Sequence, residues 1–326
     1  MYGGPLLHTW LDRDLAIAGR IVTQDNKGKC HSKIAYLDDY PLIIPGLAIH
    51  LDRTIHEKGL HVHRQDHLKA IFSLNFKENY LEECLRKHHS FDKLLAFDLF
   101  LVPLEKATFL GFENELIASY RLDNLTSAYA SLHAIQRAKP RADALQMAIF
   151  WDHEEIGSTS LVGAGSNFAA QILERICSHW KIIGEDFAAL KSKSLCLSCD
   201  LAHGYHPNYA DKYDPEHAPF LGKGVVLKFN ANQKYATSAI SAAPLIHLAE
   251  KHKLPIQKFA SRSDIPSGST VGSTMAANLG LATLDLGIAG WAMHSTREVI
   301  AEKDMRTFCS LLLASLQEPL PLPEES

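Results

Sequence analysis

The sequence predicts an α/β protein: a mixed, mostly parallel sheet flanked by helices, preceded by a β-rich domain. Three observations carry that prediction. From about residue 106 short apolar runs alternate with helical patterns, as in sheets covered on both faces. Residues 1–105 instead hold short apolar runs separated by Gly, Asn, Asp and His clusters, with little helical periodicity. At 326 residues the chain is long enough for a large core and about two domains, so the expected division is 1–105 and 106–326.

In the first domain residues 15–22, 41–51, 70–74 and 94–102 are expected strands, with one helix near 80–87. In the second, 124–137 is an expected helix with Leu125, Ala128, Leu132 and Ile135 on one side. Residues 145–151 read as a strand and 167–180 as an amphipathic helix. Strands follow at 194–199 and 225–229, a helix at 238–251, strands at 255–260 and 281–288, and a long final helix at 295–313. The Pro-rich tail, 319–326, is expected to fray.

Composition excludes several function classes. Hydrophobic content of 46% and charged content of 21% are ordinary for a globular protein. A net charge of −4 without a Lys/Arg block argues against nucleic-acid binding. No apolar run approaches the length of a membrane span, and the N-terminus lacks the parts of a signal peptide. The six cysteines are scattered, which fits a reducing compartment, so the cytoplasm is the expected location.

The chemistry centres on Trp151-Asp152-His153-Glu154-Glu155-Ile156-Gly157-Ser158. Two adjacent acids at the end of a buried strand are costly to desolvate unless a cation or a proton offsets them. One reading puts one carboxylate on a metal and its neighbour as general base on water. The other is a solvated helix start, since acids suit a first helical turn. Further polar sites stand at strand ends or turns: Asp123 in Arg121-Leu122-Asp123-Asn124, Asp200 after Ser198-Cys199, and His294 between Met293 and Ser295. Ligands in open α/β sheets gather at the carboxyl ends of strands, so one crevice could collect Asp123, Glu154, Glu155, Asp200 and His294. Carboxylates with an imidazole suit zinc, manganese or cobalt, and a shared Asp could bridge two ions. Taken singly, Asp123 is also a plausible N-cap and His294 a plausible core histidine.

Three features are set aside. Cys196 and Cys199 are three apart on a strand and point to opposite faces, which favours packing over a redox pair. Ser267 to Ser273 lacks the Gly-Lys-Ser/Thr ending of a phosphate loop and reads as a backbone turn. His56, His61, His63 and His67 read as a polar loop.

Five ordered motifs together resemble the M18 family of zinc aminopeptidases, the aspartyl aminopeptidases in particular. They are Arg-Leu-Asp-Asn (121–124), Asp-His-Glu-Glu-Ile-Gly-Ser (152–158), Asp-Leu-Ala-His-Gly-Tyr-His-Pro-Asn-Tyr (200–209), Ser-Asp-Ile-Pro-Ser-Gly-Ser-Thr-Val-Gly (263–272) and Ala-Met-His-Ser (292–295). The resemblance extends to Thr-Trp-Leu-Asp-Arg-Asp-Leu (9–15) and Ile-Pro-Gly-Leu-Ala-Ile-His-Leu (44–51), and so covers nearly the whole chain.

The resemblance implies a two-metal exopeptidase of the two-metal aminopeptidase fold that removes N-terminal residues, acidic ones above all, from peptides. It assigns two divalent cations, zinc foremost, with Asp123 bridging them, Glu155 and His294 completing one site and Asp200 serving the other. Glu154 becomes the general base. His50 becomes a residue that reaches a neighbouring subunit's active site, and Lys228 one that meets the substrate's acidic side chain. It further implies homo-oligomers, dimers through the β-rich domain and dodecamers; charge and hydropathy, as above, argue against nucleic acid and membrane as partners. The family also carries an earlier His-Thr-Asp-Ser-Pro motif whose His ligates the ion served by Asp200. Here His8-Thr9 runs into Trp10-Leu11 instead. Met1 is therefore expected to be an internal methionine of a longer frame or the start of a shortened product, with weak or absent peptidase activity. The alternative expectation is an inactive scaffold subunit of the same fold.

Overall fold

A computed structural model describes residues 1–75 and 77–323. The chain divides into two compact units, one of Met1 and Pro5–Ala107, the other of Tyr2–Gly4 and Thr108–Ser326. Among the described residues no helix is long and apolar enough to cross a membrane.

In the first unit β1 (Leu15–Gln24) is the central strand, flanked antiparallel by β2 (Cys30–Leu42) and β3 (Lys93–Pro103). The short α1 (Ile55–Lys58) and then α2 (Tyr80–His88) lie between β2 and β3 in sequence. One face of the sheet is apolar at alternate positions. Its Ile21, Ala35 and Leu37 are buried with Cys84 and Leu85 of α2 and with Phe91.

The second unit opens with β4 (Thr108–Leu110), β5 (Leu116–Ser119) and α3 (Leu122–Arg137). Then come α4 (Phe168–His179), α5 (Glu185–Ser192), β6 (Leu195–Cys199), β7 (Ala202–His203), β8 (Val225–Phe229), α6 (Ala239–Lys251) and β9 (Ile256–Ala260). It closes with α7 (Val271–Leu279), β10 (Ala282–Gly287), β11 (Ala289–Trp291), β12 (Glu298–Ala301) and α8 (Glu302–Gln317). One sheet runs β6-β10-β8-β9, with β10 parallel to β6 and β8 parallel to β9. The other runs β4-β5-β12-β11-β7 and is antiparallel except between β11 and β7. The main core packs Val225, Leu227, Leu284 and Leu286 of the first sheet against α3, α6 and α8.

The two sheets are joined where β6 passes into β7 and β10 into β11. Across that junction Asp200 N donates to the Leu286 carbonyl at 2.9 Å and Ala202 N to the Ile288 carbonyl at 2.9 Å. The strands pass so closely that a Cβ at Gly287 would fall 1.8 Å from the Asp200 carbonyl oxygen. Asp200 thus sits at the exit of β6, where its backbone has no room to shift.

Several elements depart from expectation. Residues 145–151 form no strand: among the described residues their amides join no ladder, and their apolar pattern is met by side-chain packing of Ile149 and Trp151 instead. Residues 41–51 and 70–74 are extended or turn-like and share only the Ile43–Ile71 bridge. The strand β2 escaped notice because Ile34 and Tyr36, on its exposed face, blur the alternation of its buried Ala35 and Leu37. The expected helix 295–313 is two elements, since residues 298–301 pair with β5 and β11 before α8 begins. Ser267 to Ser273 turns into α7, whose N-cap Thr270 accepts from Gly272 N. Part of the expected frayed tail, 324–326, lies outside the described residues.

Candidate metal centre

Each residue of the cluster is delivered by a break in regular structure. Asp123 follows Arg121, which is left-handed (φ 57°), and itself departs from helical torsions at the start of α3; the Asp123–Asn124 peptide is cis. Glu154 and Glu155 form a single 3-10 turn, Glu154–Ile156, entered through left-handed His153 (φ 60°) and left through Gly157 (φ 96°). His294, also left-handed (φ 69°), stands in the turn between β11 and β12. Left-handed non-glycine residues are costly and persist where their surroundings over-determine them, as at functional sites.

These breaks bring three side chains together. One ligand atom from each of Asp123, Glu155 and His294 lies within 4.8 Å of the other two. His294 Nε2 is 3.3 Å from Asp123 Oδ2 and 3.3 Å from Glu155 Oε2. The other ring nitrogen, Nδ1, faces the Gly4 carbonyl at 3.1 Å. Nε2, when protonated, donates toward the carboxylates; with Nδ1 kept as the N–H donor, loss of the Nε2 proton would leave the tautomer a metal requires. Gly3, at φ 68°, lets the Tyr2–Gly4 segment run against Glu155; a Cβ there would lie 3.1 Å from the Glu155 Cβ.

Asp200 joins through a hydrogen bond shared with Asp123. Its Oδ2 also accepts from Lys228 Nζ at 3.1 Å, while the same ammonium donates to the Leu201 carbonyl at 2.7 Å. Lys228 is buried, with Tyr235 beneath it. Asn124 Nδ2 reaches the Cys199 carbonyl at 3.0 Å and so ties the start of α3 to the end of β6.

Four carboxylates in one half-buried place draw positive charge. Burial, then the charges on Asp200, Glu155 and Asp123, push Glu154 up to about 7. Burial and the Asp123 charge raise Glu155 as well. Burial also raises Asp200 to about 7, despite the neighbouring Lys228. On Asp123 burial acts upward too, but the hydrogen bonds to His294 and Asp200 outweigh it and hold the carboxyl low. The hydrogen bond to Asp123 leads in raising His294 to about 9. Two carboxylates and an imidazole at this spacing are a donor set that fits zinc.

The residues singled out in the sequence are therefore placed as follows. Asp123, Glu155 and His294 converge, Asp200 adjoins them, and Glu154 feels the charge of three of them. His50 belongs to the first unit, in an exposed turn that includes the Ala48–Leu51 hydrogen bond. Lys228 is bonded to Asp200. The His56, His61, His63 and His67 stretch forms no metal-holding group among the described residues, and His63 pairs with Asp66.

Sequence reasoning missed Glu298. Its Oε2 accepts from Asp123 N at 2.8 Å and its Oε1 from His294 N at 2.6 Å. Burial pushes its carboxyl up to about 7. The signal was an acid four residues after His294, hidden by reading 295–313 as one helix. Beside the cluster, His203, His206, Tyr213, Trp291 and His294 line a pocket of about 190 Å³.

Comparison with known proteins supplies the context. A family model described as aminopeptidase I zinc metalloprotease (M18) matches residues 1–314. The probable M18 family aminopeptidase 2 of Ectopseudomonas mendocina is 38% identical over 328 aligned residues, covering 98% of this chain and 74% of the relative. A chain in the cryo-EM structure of the Ape4 and Nbr1 complex superposes with TM-score 0.89 at 34% identity, covering 97% of this chain and 65% of that one. The mApe1 dodecamer of S. cerevisiae matches with TM-score 0.76 at 26% identity, over 96% of this chain and 71% of that one. The present chain thus spans about three quarters of the curated relative and just under two thirds of the chain in the Ape4 and Nbr1 complex.

Proposed function

The chain belongs to the M18 family of aminopeptidase I zinc metalloproteases, hydrolases acting on peptide bonds, and from that premise we propose that it removes N-terminal residues, acidic ones by preference, from peptides. The observation that carries this reading is the approach of Asp123, Glu155 and His294 ligand atoms to within 4.8 Å of one another. These three residues would hold zinc, with manganese or cobalt as substitutes the same donors accept. Bound zinc supplies Lewis-acid polarisation of the peptide carbonyl and positive charge beside the developing oxyanion.

The remaining work falls to the chain's own groups. Glu154, raised to about 7, is suited to take a proton from the attacking water near neutral pH and return it to the leaving amine. A second cation would draw on Asp200 and the shared Asp123, but there Lys228 already bonds to Asp200 Oδ2. Two ions of unequal affinity and low turnover by this chain follow. Preference for acidic side chains is supported by the Lys228 charge beneath Asp200 and by His203 and His206 as donors in the pocket wall.

Assembly into homo-oligomers is supported by the relative that forms a dodecamer, with the β-rich unit as the dimerisation surface. Ile34, Leu95 and Phe97 expose apolar surface on its sheet. In such an assembly His50 would be given to a neighbouring chain's site as an oxyanion donor.

Metal content and hydrolysis test the reading together. The 326-residue chain should hold about one zinc tightly. It should release Asp or Glu from peptides with a free N-terminus in preference to neutral residues, and nothing from N-acetylated ones. A chain that binds no zinc, or that cleaves the acetylated peptides equally well, would overturn it.

A further inference from the structure

We propose that Glu298 is a positioning residue for the metal centre: its carboxylate sets the spacing of Asp123 and His294 by holding both of their backbone amides. The inference rests on the metal reading above but concerns a residue outside the ligand set. The two oxygens are divided between the two ligands, Oε2 to Asp123 N at 2.8 Å and Oε1 to His294 N at 2.6 Å. Asp123 and Glu298 are 175 residues apart in sequence, so this side chain joins segments that nothing local connects.

Chemistry explains why a carboxylate is used. An ionised carboxylate accepts at both oxygens, so it can face two N–H groups at once. Glutamine offers one acceptor and one donor, and would turn an NH2 toward one of the amides. Both held segments carry left-handed residues, Arg121 (φ 57°) before Asp123 and His294 itself (φ 69°), and such backbone needs contacts to keep it. Glu298 can supply them because its own backbone is fixed: it opens β12, paired with Ser119 of β5, in a strand that β11 flanks on the other side. At 2% exposure the side chain has no room for a second rotamer.

Removing a group that orients a ligand costs metal affinity, of order 10–100-fold, without removing the ligand. Asp304 provides a matched control. It too is fully buried and accepts two backbone amides, Gly222 N at 2.6 Å and Gly224 N at 2.7 Å, but in a turn that contributes none of the candidate ligands.

The experiment measures zinc affinity by chelator competition, the visible spectrum of the cobalt-loaded protein, and the unfolding midpoint of the metal-free protein, all on the full chain. Glu298→Gln should raise the zinc dissociation constant roughly 10–100-fold and alter the cobalt bands, and Glu298→Ala should do at least as much. Asp304→Asn should lower the unfolding midpoint and leave both metal readouts unchanged. If Glu298→Ala does not fold, Glu298→Gln decides. A Glu298→Gln protein that behaves like Asp304→Asn, less stable but with wild-type zinc affinity and cobalt bands, overturns the assignment, as does one that cannot fold at all. A wild-type chain that holds no zinc sinks the metal reading itself and takes this inference with it. Tight wild-type binding beside an unaffected Glu298→Gln sinks the inference alone.

Discussion

Glu154 and Glu155 are neighbours in sequence with different surroundings, and the proposed function gives them different work. Glu155 Oε2 faces His294, whereas Glu154 is half-buried among like charges and raised to about 7. Glu154→Gln is expected to lower kcat by about 10²–10⁴-fold while zinc affinity stays at the wild-type value; steady-state release of Asp from a free-amine peptide and a zinc titration check the pair. Equal loss of both would make Glu154 a ligand rather than a base. Gly3 is a second test at this scale. Alanine at φ 68° costs about 1–2 kcal/mol, and its Cβ would press on Glu155. Gly3→Ala should loosen the segment whose Gly4 carbonyl meets His294 Nδ1, weakening zinc binding by about 10-fold. Chelator competition reads that loss directly.

At the scale of elements, local chemistry decided which parts of the fold were legible. Helix α6 formed where a helix was expected, and Ser238 caps it: its Oγ accepts from Ser241 N at 3.2 Å, and Ser241 Oγ accepts from Ser238 N at 3.0 Å. Ser238→Ala should therefore cost about 1 kcal/mol in a urea unfolding series; an unchanged midpoint would remove the box from the account. The expected helix at 295–313 began too early. There the chain runs first into β12, because pairing with β5 and β11 outweighs local helical preference. Helix α7 was hidden for the opposite reason, since Gly272 and the serines before it carry little helical preference.

At the scale of the molecule, the metal-free site couples protons to folding. Burial above all raises Glu154 and Asp200 to about 7, and the hydrogen bond to Asp123 above all raises His294 to about 9. Each group keeps a proton in the folded state that the unfolded state has already released. Their contribution is thus full below the ordinary values and is lost as pH rises through the shifted ones. The unfolding midpoint of the metal-free chain should fall between about pH 6 and about pH 8. Zinc displaces those same protons, so its stabilising effect should grow over that range; calorimetric scans with and without zinc test both slopes. Assembly gives another prediction. Mixing Glu154→Gln chains with His50→Ala chains should restore up to about a quarter of wild-type activity if dimers exchange freely and His50 serves the neighbouring site. Mixtures no more active than their components would confine His50 to its own chain.

The sequence alone determined the chemical cast: paired acids after an apolar run, and further acids and an imidazole at breaks in pattern. Those are local properties, written in residue type and spacing. Only the tertiary structure decided that ligand atoms of Asp123, Glu155 and His294 converge to within 4.8 Å, that Lys228 bonds to Asp200, and that Glu298 accepts from the amides of both Asp123 and His294. Separation across as many as 175 residues leaves no mark on local pattern. The direction in which a buried carboxylate points is set by which amides the fold presents to it, and those exist only once the strands have paired.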